Sequence, residues 1–456
     1  MNLLRAFVLL VVLATSSAAQ SISQQYSGAT DRLIRAATSD SAAYQRLVEL
    51  TDRFGPRLSG SDNLEHAIDW ILARMKEDGL ANVRGEPVMV PRWVRGNESA
   101  ELLEPRRASL PMLGLGGSIA TPREGITAEV LIVSDFDELT RRAAEAKGRI
   151  VLFDVPFTNY GATVRYRTQG AIAAARAGAV ASLISSVASY SMRTPHTGTM
   201  SYDSAVQKIP HAAITVEDAQ MLHRMQRRGE RVVVKLNMEA QTLPDVQSRN
   251  VVAEIRGREK PDEVVVLGGH IDSWDVGTGA MDDAGGCVAA WQALVLMKKL
   301  GLQPRRTVRV VMWTNEENGL RGGNAYRDTH RAELDKHVLA IESDAGVFKP
   351  LGFGVTSSDS AFAILQQVGK LLDKIGAGSI QKGGGGADIG PIMALGVPGM
   401  GLNVQGEKYF WFHHSAADTV DKLDPHEVNL SAAALAIAAY VVADLPQALP
   451  RQAPAQ

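Results

Sequence analysis

From Ser248 onward the chain alternates short apolar runs with helix-like stretches, and no other feature restricts its fold so strongly. "NVVAEIRG" and "EVVVLGGH" read as strands, and "GCVAAWQALVLMKKLG" as a helix ended by Gly301. "TVRVVMWTNEE" is a strand that leads into a helix through "GGNAYRDTHRAEL". Then come the strand "HVLAIESDAG", the helix "SAFAILQQVGKLLDKIG", the short strand "GVPGMGL" and a last helix entered at a proline, "PHEVNLSAAALAIAAYVVADL". Such alternation predicts a largely parallel sheet with helices on both faces, a three-layer α/β/α domain.

Upstream the texture differs. Ser27 to Gly79 reads as helices: "DNLEHAIDWILARMKEDGL" sets Leu64, Ala67, Ile68, Ile71, Leu72 and Met75 at helical spacing, and Gly79 suits the cap. "GPRLSGS" is a loop between two helices, and "ANVRGEPVMVPRWV" is strand-like. From Gly125 to about Thr242, "AEVLIVS", "GRIVLFDV" and "AVASLISS" are strands and "GAIAAARAGA" a small-residue helix. "HAAITVEDAQMLHRMQRRG" adds a strand and a helix. This stretch has the size of a separate module and holds no dense cluster of catalytic residue types. The expected division is a signal segment at 1–19, a first part of the main domain at 20–124 and the module at 125–242. The main domain resumes at 243–448, and a disordered tail covers 449–456.

The first residues, "MNLLRAFVLLVVLATSSAAQ", join Arg5, a short apolar core and Ser17-Ala18-Ala19 at cleavage positions. That is the pattern of a secretory signal peptide, and its apolar run falls short of the ~20 residues a membrane span needs. The mature chain is expected to begin near Gln20, exported to the periplasm or beyond, with no membrane attachment after cleavage. A net charge of -2 over 456 residues gives no basic field for nucleic acid. Cys287 is the only cysteine, so no intrachain disulfide can form. Set in "DDAGGCVAAW", it reads as a buried structural thiol rather than a nucleophile.

Open α/β sheets bind ligands beyond the carboxyl ends of their strands. Three strands here end in metal-type residues: His270 and Asp272, then Glu316 and Glu317, then Asp344 within "ESDAG". The loop after the first carries Asp282 and Asp283, and "YFWFHHSAADT" offers His413 and His414. One acidic pair after a strand is ordinarily a helix cap or a solvated loop. Three such strand ends with a late histidine pair are not explained by caps. Imidazole and carboxylate without thiolate suit zinc, with manganese or cobalt as substitutes. Three carboxylates and a bound hydroxide carry roughly -4, which two divalent ions neutralise; without metal the carboxylates repel and shift toward protonation. Two ions about 3.5–4 Å apart need a bridging carboxylate, and Asp282, on a glycine-rich loop, is placed to be it.

Together "GGHIDSWDVGTGAMDD", "WTNEENG", "ESDAG" and "FHHSAADT" resemble the carboxypeptidase Q-like co-catalytic zinc exopeptidases, with bacterial zinc aminopeptidases as more distant relatives. The resemblance takes in nearly all of the mature chain, including "GPRLSGS" and the central module. It implies a zinc-exopeptidase (phosphorylase/hydrolase-like) fold with the module as an inserted protease-associated domain. By position it implies that His270, Asp282 and Asp344 hold one zinc ion and Asp282, Glu317 and His414 the other. Glu316 is then the general base and Asp272 the partner of His270. His414 is preferred to His413 because the family histidine stands four positions before its "DT" pair, here Asp418-Thr419. A cis peptide between Asp282 and Asp283 and a homodimer are implied in the same way.

The chemistry agrees. His270 and Asp272 are two apart, so an extended backbone puts them on one side, where the carboxylate can orient the ring. Bridging metals lower the pKa of a shared water toward ~7 and polarise the peptide carbonyl, and Glu316 can carry the proton to the departing amine. The implied activity is hydrolysis of dipeptides or short peptides by carboxypeptidase or dipeptidase action, with aminopeptidase action as the alternative. A one-zinc glutaminyl cyclase and a non-catalytic binding protein share the fold. The module and whole-chain match oppose the first, and the full ligand set opposes the second.

Other candidates are weaker. Asp388 is either a supporting residue near the site or a plain turn aspartate. Lys408, Tyr409 and His413 flank His414 and are candidates to bind a substrate carboxylate or oxyanion, although Tyr409 can simply pack. "KGGGGADIGP" lacks the GK[ST] of a phosphate loop. His330, His337 and His426 read as surface or cap residues.

Overall fold

Successive side chains on a strand face opposite ways, and in the central strands both sets are apolar. Val265, Leu267, Val308, Val310, Met312, Leu339 and Ile341 enter one buried cluster; Val264, Val266, Val311, Trp313 and Ala340 enter another. Strands buried on both faces need cover on both, which is why three layers form. Ile22–Thr38, Ala42–Phe54, Gly285–Lys299 and Pro425–Asp444 cover one face, and Arg321–Thr329 and Gly390–Met393 the other. This computed structural model describes residues 21–39 and 41–451. The expected signal segment lies outside them.

The first sheet has eight strands, in the order Ala81–Val94, Gln241–Ile255, Arg306–Trp313, Lys260–His270, His337–Glu342, Gly399–Val404, Pro350–Thr356 and Ser379–Lys382. The central run from Arg306–Trp313 to Gly399–Val404 is parallel, as the alternation predicts. The flanks are mixed, with antiparallel pairs at Ala81–Val94, Gln241–Ile255 and Pro350–Thr356. The helix Pro425–Asp444 is long and apolar enough to cross a membrane, but 89% of its apolar window is buried within the protein, so it serves as a core helix.

The chain leaves the first sheet at Val94 and rejoins it at Gln241, where these two residues are partners in an antiparallel ladder. The segment between them builds a second sheet of eight strands: Ala108–Leu110, Glu98–Glu104, Val233–Met238, Ile126–Val133, Ile150–Phe153, Ala181–Ser185, His211–Ile214 and Met112–Gly114, in spatial order. Helices Tyr160–Arg176 and Val216–Arg227 pack on it. The second sheet thus begins at Glu98, earlier than the boundary expected at 125. Glu98–Glu104 pairs with Val233–Met238 and buries Ala100 and Leu102 in the second core, while its interleaved glutamates disguise it as a polar stretch.

Two further expectations are corrected. His330 and His337 are buried: His330 Nε2 meets the Glu86 carboxylate at 3.0 Å, and His337 Nε2 meets Tyr326 Oη at 2.9 Å. Their partners come from a distant strand and a neighbouring helix, which no local pattern reveals. The stretch from 449 is not loose through Arg451, because Leu449 is buried and Arg451 donates to the Leu334 carbonyl at 2.5 Å. His426 is exposed in the first turn of the last helix, where its N–H donates to the Asp424 side chain, as expected.

Candidate active site

Parallel register brings three strand ends level. His270 pairs with Trp313 and Gly268 with Glu342, so the turns after these strands open at one edge of the sheet. The His270 ring donates from Nδ1 to the Asp272 carbonyl at 2.9 Å, which turns Nε2 toward Asp282 Oδ1 at 3.1 Å and Asp344 Oδ1 at 3.3 Å. On the other side, His414 Nε2 lies 3.0 Å from Glu317 Oε2 and 3.3 Å from Asp282 Oδ2. The two oxygens of Asp282 therefore face two different clusters. His413 stands 3.6 Å from Asp282 Oδ2 and stacks on His414 with ring centres 3.5 Å apart.

Asp272 supports the site differently from expectation. Its carboxylate is 3.9 Å from His270 Nδ1; it accepts instead from the N–H groups of Glu316 at 3.0 Å and Glu317 at 3.3 Å and from the Ser59 hydroxyl at 3.2 Å. The strand ends at His270, so the extended backbone that would align the two side chains does not reach Asp272. The ring is oriented by a backbone carbonyl, and the carboxylate aims the glutamate pair.

The Asp282 loop is held from both sides. The Asp282–Asp283 peptide is cis, as the resemblance implies. Asp283 points away from the clusters and accepts from the N–H of His270 at 3.1 Å and of Gly286 at 3.0 Å, joining strand end to helix start. Fully buried Arg57 donates to the carbonyls of Ile271 at 3.0 Å, Thr278 at 2.7 Å and Gly279 at 3.1 Å. Asp418 accepts from the N–H groups of Met281 at 2.7 Å and Asp282 at 3.2 Å. Sequence reasoning assigned no task to Arg57, Ser59 or Asp418, although "GPRLSGS" and the "DT" pair were the signals that contained them.

The second sheet braces the histidine segment. The Thr197 N–H donates to the His414 carbonyl at 2.8 Å, His196 Nδ1 donates to the His413 carbonyl at 2.6 Å, and Ser189 N–H donates to the Phe410 carbonyl at 3.3 Å. The other candidates divide. Tyr409 and His413 line the cavity over the clusters, whereas Lys408 is exposed and outside its lining. Asp388 is buried with both carboxylate oxygens unpartnered, so it is neither a solvated turn residue nor hydrogen-bonded to a predicted ligand.

Electrostatics sharpen the picture. Burial, with Asp344, Glu317 and Asp282 nearby, pushes the Glu316 carboxyl well up despite His270. Burial raises Glu317 to about 7 against the pull of His414, and burial with Asp344 and Asp282 raises Asp283 strongly. Burial opposes charge on the rings too, but Glu317 and Asp282 outweigh it and raise His414 to about 10. Asp282 goes the other way: against burial, His270 and His414 hold its carboxyl well below the usual carboxylate range. Cys287, by contrast, is buried and its thiol is pushed up by burial, as a structural cysteine's would be.

These residues fit divalent metal. Two donor atoms about 2.0–2.1 Å from one tetrahedral ion stand about 3.3 Å apart, and the four contacts above lie at 3.1, 3.3, 3.0 and 3.3 Å. Asp282 Oδ2 and Glu317 Oε1 are buried without a hydrogen-bond partner. The donors are imidazole and carboxylate, a set that suits zinc. The clusters open into a cavity of about 1050 Å³ whose lining includes Glu316, Glu317, Asp344, Tyr409 and Arg167.

Comparison with known proteins agrees with this geometry. Residues 250–440 match the model of Peptidase family M28. Carboxypeptidase Q of Mus musculus is 52% identical over 409 residues, which cover 90% of this chain and 87% of the mouse protein. The Homo sapiens protein is 51% identical with the same coverage. The Peptidase M28 precursor from Shewanella amazonensis SB2B superposes with a TM-score of 0.91 at 36% identity, over 94% of this chain and 99% of that one. A zinc aminopeptidase from Bacillus subtilis shares the fold, with a TM-score of 0.66 at 19% identity over 90% of this chain and 98% of its own. The chain belongs to peptidase family M28 and, within it, to the group of carboxypeptidase Q.

Proposed function

We propose that this chain is an exported metallo-exopeptidase that hydrolyses dipeptides or short peptides by carboxypeptidase or dipeptidase action. The observation that carries the reading is the meeting of His270, Asp282, Glu317, Asp344 and His414 at one edge of the sheet, with Asp282 between two histidines. His270, Asp282 and Asp344 would hold one zinc ion and Asp282, Glu317 and His414 a second. Zinc, when bound, supplies an acidified water and a positive charge beside the carbonyl. Glu316 is held by its N–H on Asp272 and faces the cavity; it accepts the water's proton and passes it to the departing amine. Tyr409 and His413 line the same cavity and are placed to contact substrate.

We read the inserted sheet as a protease-associated-like domain and the first residues as an export signal. The Shewanella relative is itself described as a precursor. Carboxypeptidase action is preferred because the whole-chain likeness is to carboxypeptidase Q; the aminopeptidase likeness, at 19% identity, bears on the fold alone. N-blocked and C-blocked dipeptides, assayed on metal-replete and chelated protein, separate the two. Glu316→Gln is expected to lower kcat by roughly 10²–10⁴-fold with metal content unchanged. A fully active Glu316→Gln would overturn the assignment of the base.

A further inference from the structure

The inserted unit sends one cation into the cavity. Arg167, on the helix Tyr160–Arg176, is 4% exposed and lies in the cavity wall beside Tyr160 and Thr199. It is the one lysine or arginine among the described residues of that wall, which otherwise carries Asp282, Glu316, Glu317 and Asp344. Its Nη2 donates to Tyr160 Oη at 2.9 Å, and Nη1 donates to the Thr197 carbonyl at 3.4 Å and lies 3.3 Å from His414 Nδ1. Its Nε is buried without a partner.

What Arg167 lacks is a carboxylate. Buried charges are ordinarily paired, because an isolated one loses its hydration without return. The buried Arg309 and Arg306 follow that rule, on Glu254 at 2.7 Å and Glu263 at 2.5 Å, whereas Arg57, also without a carboxylate, spends its donors on backbone carbonyls. Among the described residues Arg167 makes no ion pair, yet its place is kept clear: a Cβ on Gly198 would fall 2.2 Å from Nη1. The seat fits a guanidinium and leaves its charge without a carboxylate, 3.3 Å from His414 Nδ1.

We propose that Arg167, held by Tyr160, binds the free carboxylate of a peptide substrate and so makes the cavity select peptides whose C-terminus is unblocked. This rests on the carboxypeptidase reading above and assigns the residue that recognises the substrate's C-terminus. Guanidinium and carboxylate match in shape as well as charge. With the acidic residues of the wall assigned to the metals and the base, Arg167 is the lysine or arginine of the described lining left to hold a substrate carboxylate.

The test compares a dipeptide with its own C-terminal amide on metal-replete wild type, Arg167→Gln and Arg167→Lys, with zinc content measured for each. Wild type is expected to favour the acid. Arg167→Gln should raise KM for the acid roughly tenfold to a hundredfold, with kcat nearly unchanged and the amide unaffected, so that the two substrates converge. Arg167→Lys should recover part of the difference. Equal losses on acid and amide, or loss of zinc, would overturn the proposal in favour of simple support for His414. A wild type that prefers the acid and keeps that preference in Arg167→Gln overturns this inference alone; one that ignores the blocked terminus overturns the carboxypeptidase preference with it, and one that cleaves neither overturns the exopeptidase reading beneath both. Should Arg167→Gln fail to fold, Tyr160→Phe, which removes the hydroxyl that holds Nη2, carries the same comparison with a severalfold effect on the acid.

Discussion

Strand Lys260–His270 of the first sheet and strand Ile150–Phe153 of the second are both apolar where they are buried, and they differ in the residues at and beyond their carboxyl ends. After the first come His270 and Asp272, and across the edge Glu316, Glu317 and Asp344 converge on Asp282. After the second comes Asp154, which is met at once by His223 at 2.7 Å; its neighbour strand leads to Ser186, whose hydroxyl donates to the Ile214 carbonyl at 2.8 Å. The carboxyl edge of a parallel sheet is a place for ligands in general. It becomes a reactive site only where the polar groups there are left short of partners. In the first sheet they are short, with buried oxygens on Asp282 and Glu317 unmatched.

The contrast can be broken, most severely at Asp282. Asp282→Asn should cut kcat/KM by at least about a thousandfold and drop bound zinc below two per chain, with the circular dichroism spectrum retained. Zinc still bound at two per chain, with activity near wild type, would remove Asp282 from the role of shared ligand. One step out, Asp418→Asn leaves the ligands in place but loosens the backbone that presents Asp282. Metal affinity or activity should fall about 10–100-fold, read by competition with a chelator.

Acid should also act on the second sheet, through a ring outside the ligand set. Burial pushes His211 down to about 4. The folded chain therefore refuses a proton that the unfolded chain binds below about 6.5, and stability falls as pH drops from there toward 4. On the order of 3 kcal/mol is lost by pH 4 from this ring, and urea melts of wild type against His211→Gln should show the slope reduced. The mildest test is Asp154→Asn. Its pair is local and partly exposed, so roughly 1 kcal/mol or less of stability and under about a twofold change in activity are expected. A large catalytic loss there would erase the distinction between the two edges.

The strand ends were readable because a valine-rich run that stops at a histidine or a glutamate pair has no structural reason to do so. The parallel order followed from alternation. What supports those ends was not readable: Arg57 acts on Ile271, 214 positions away, and Asp418 on Met281, 137 positions away. A charged residue in a loop carries no local mark of such a partner. The start of the second sheet was missed for a related reason. Glu98–Glu104 shows its two buried residues only once Val233–Met238 is beside it. His330 and His337 likewise look solvated until Glu86 and Tyr326 are in place.

The paired strands Ala81–Val94 and Gln241–Ile255 carry a topological consequence. Where the chain departs and where it comes back are one strand spacing apart, about 5 Å. The whole second sheet is thus a hairpin turn grown to domain size, and a shorter turn would close the same ladder without reordering any strand of the first. Thr197 and His196 hold the His413–His414 carbonyls, however, so cutting the second sheet back to such a turn would release the histidine segment beneath it.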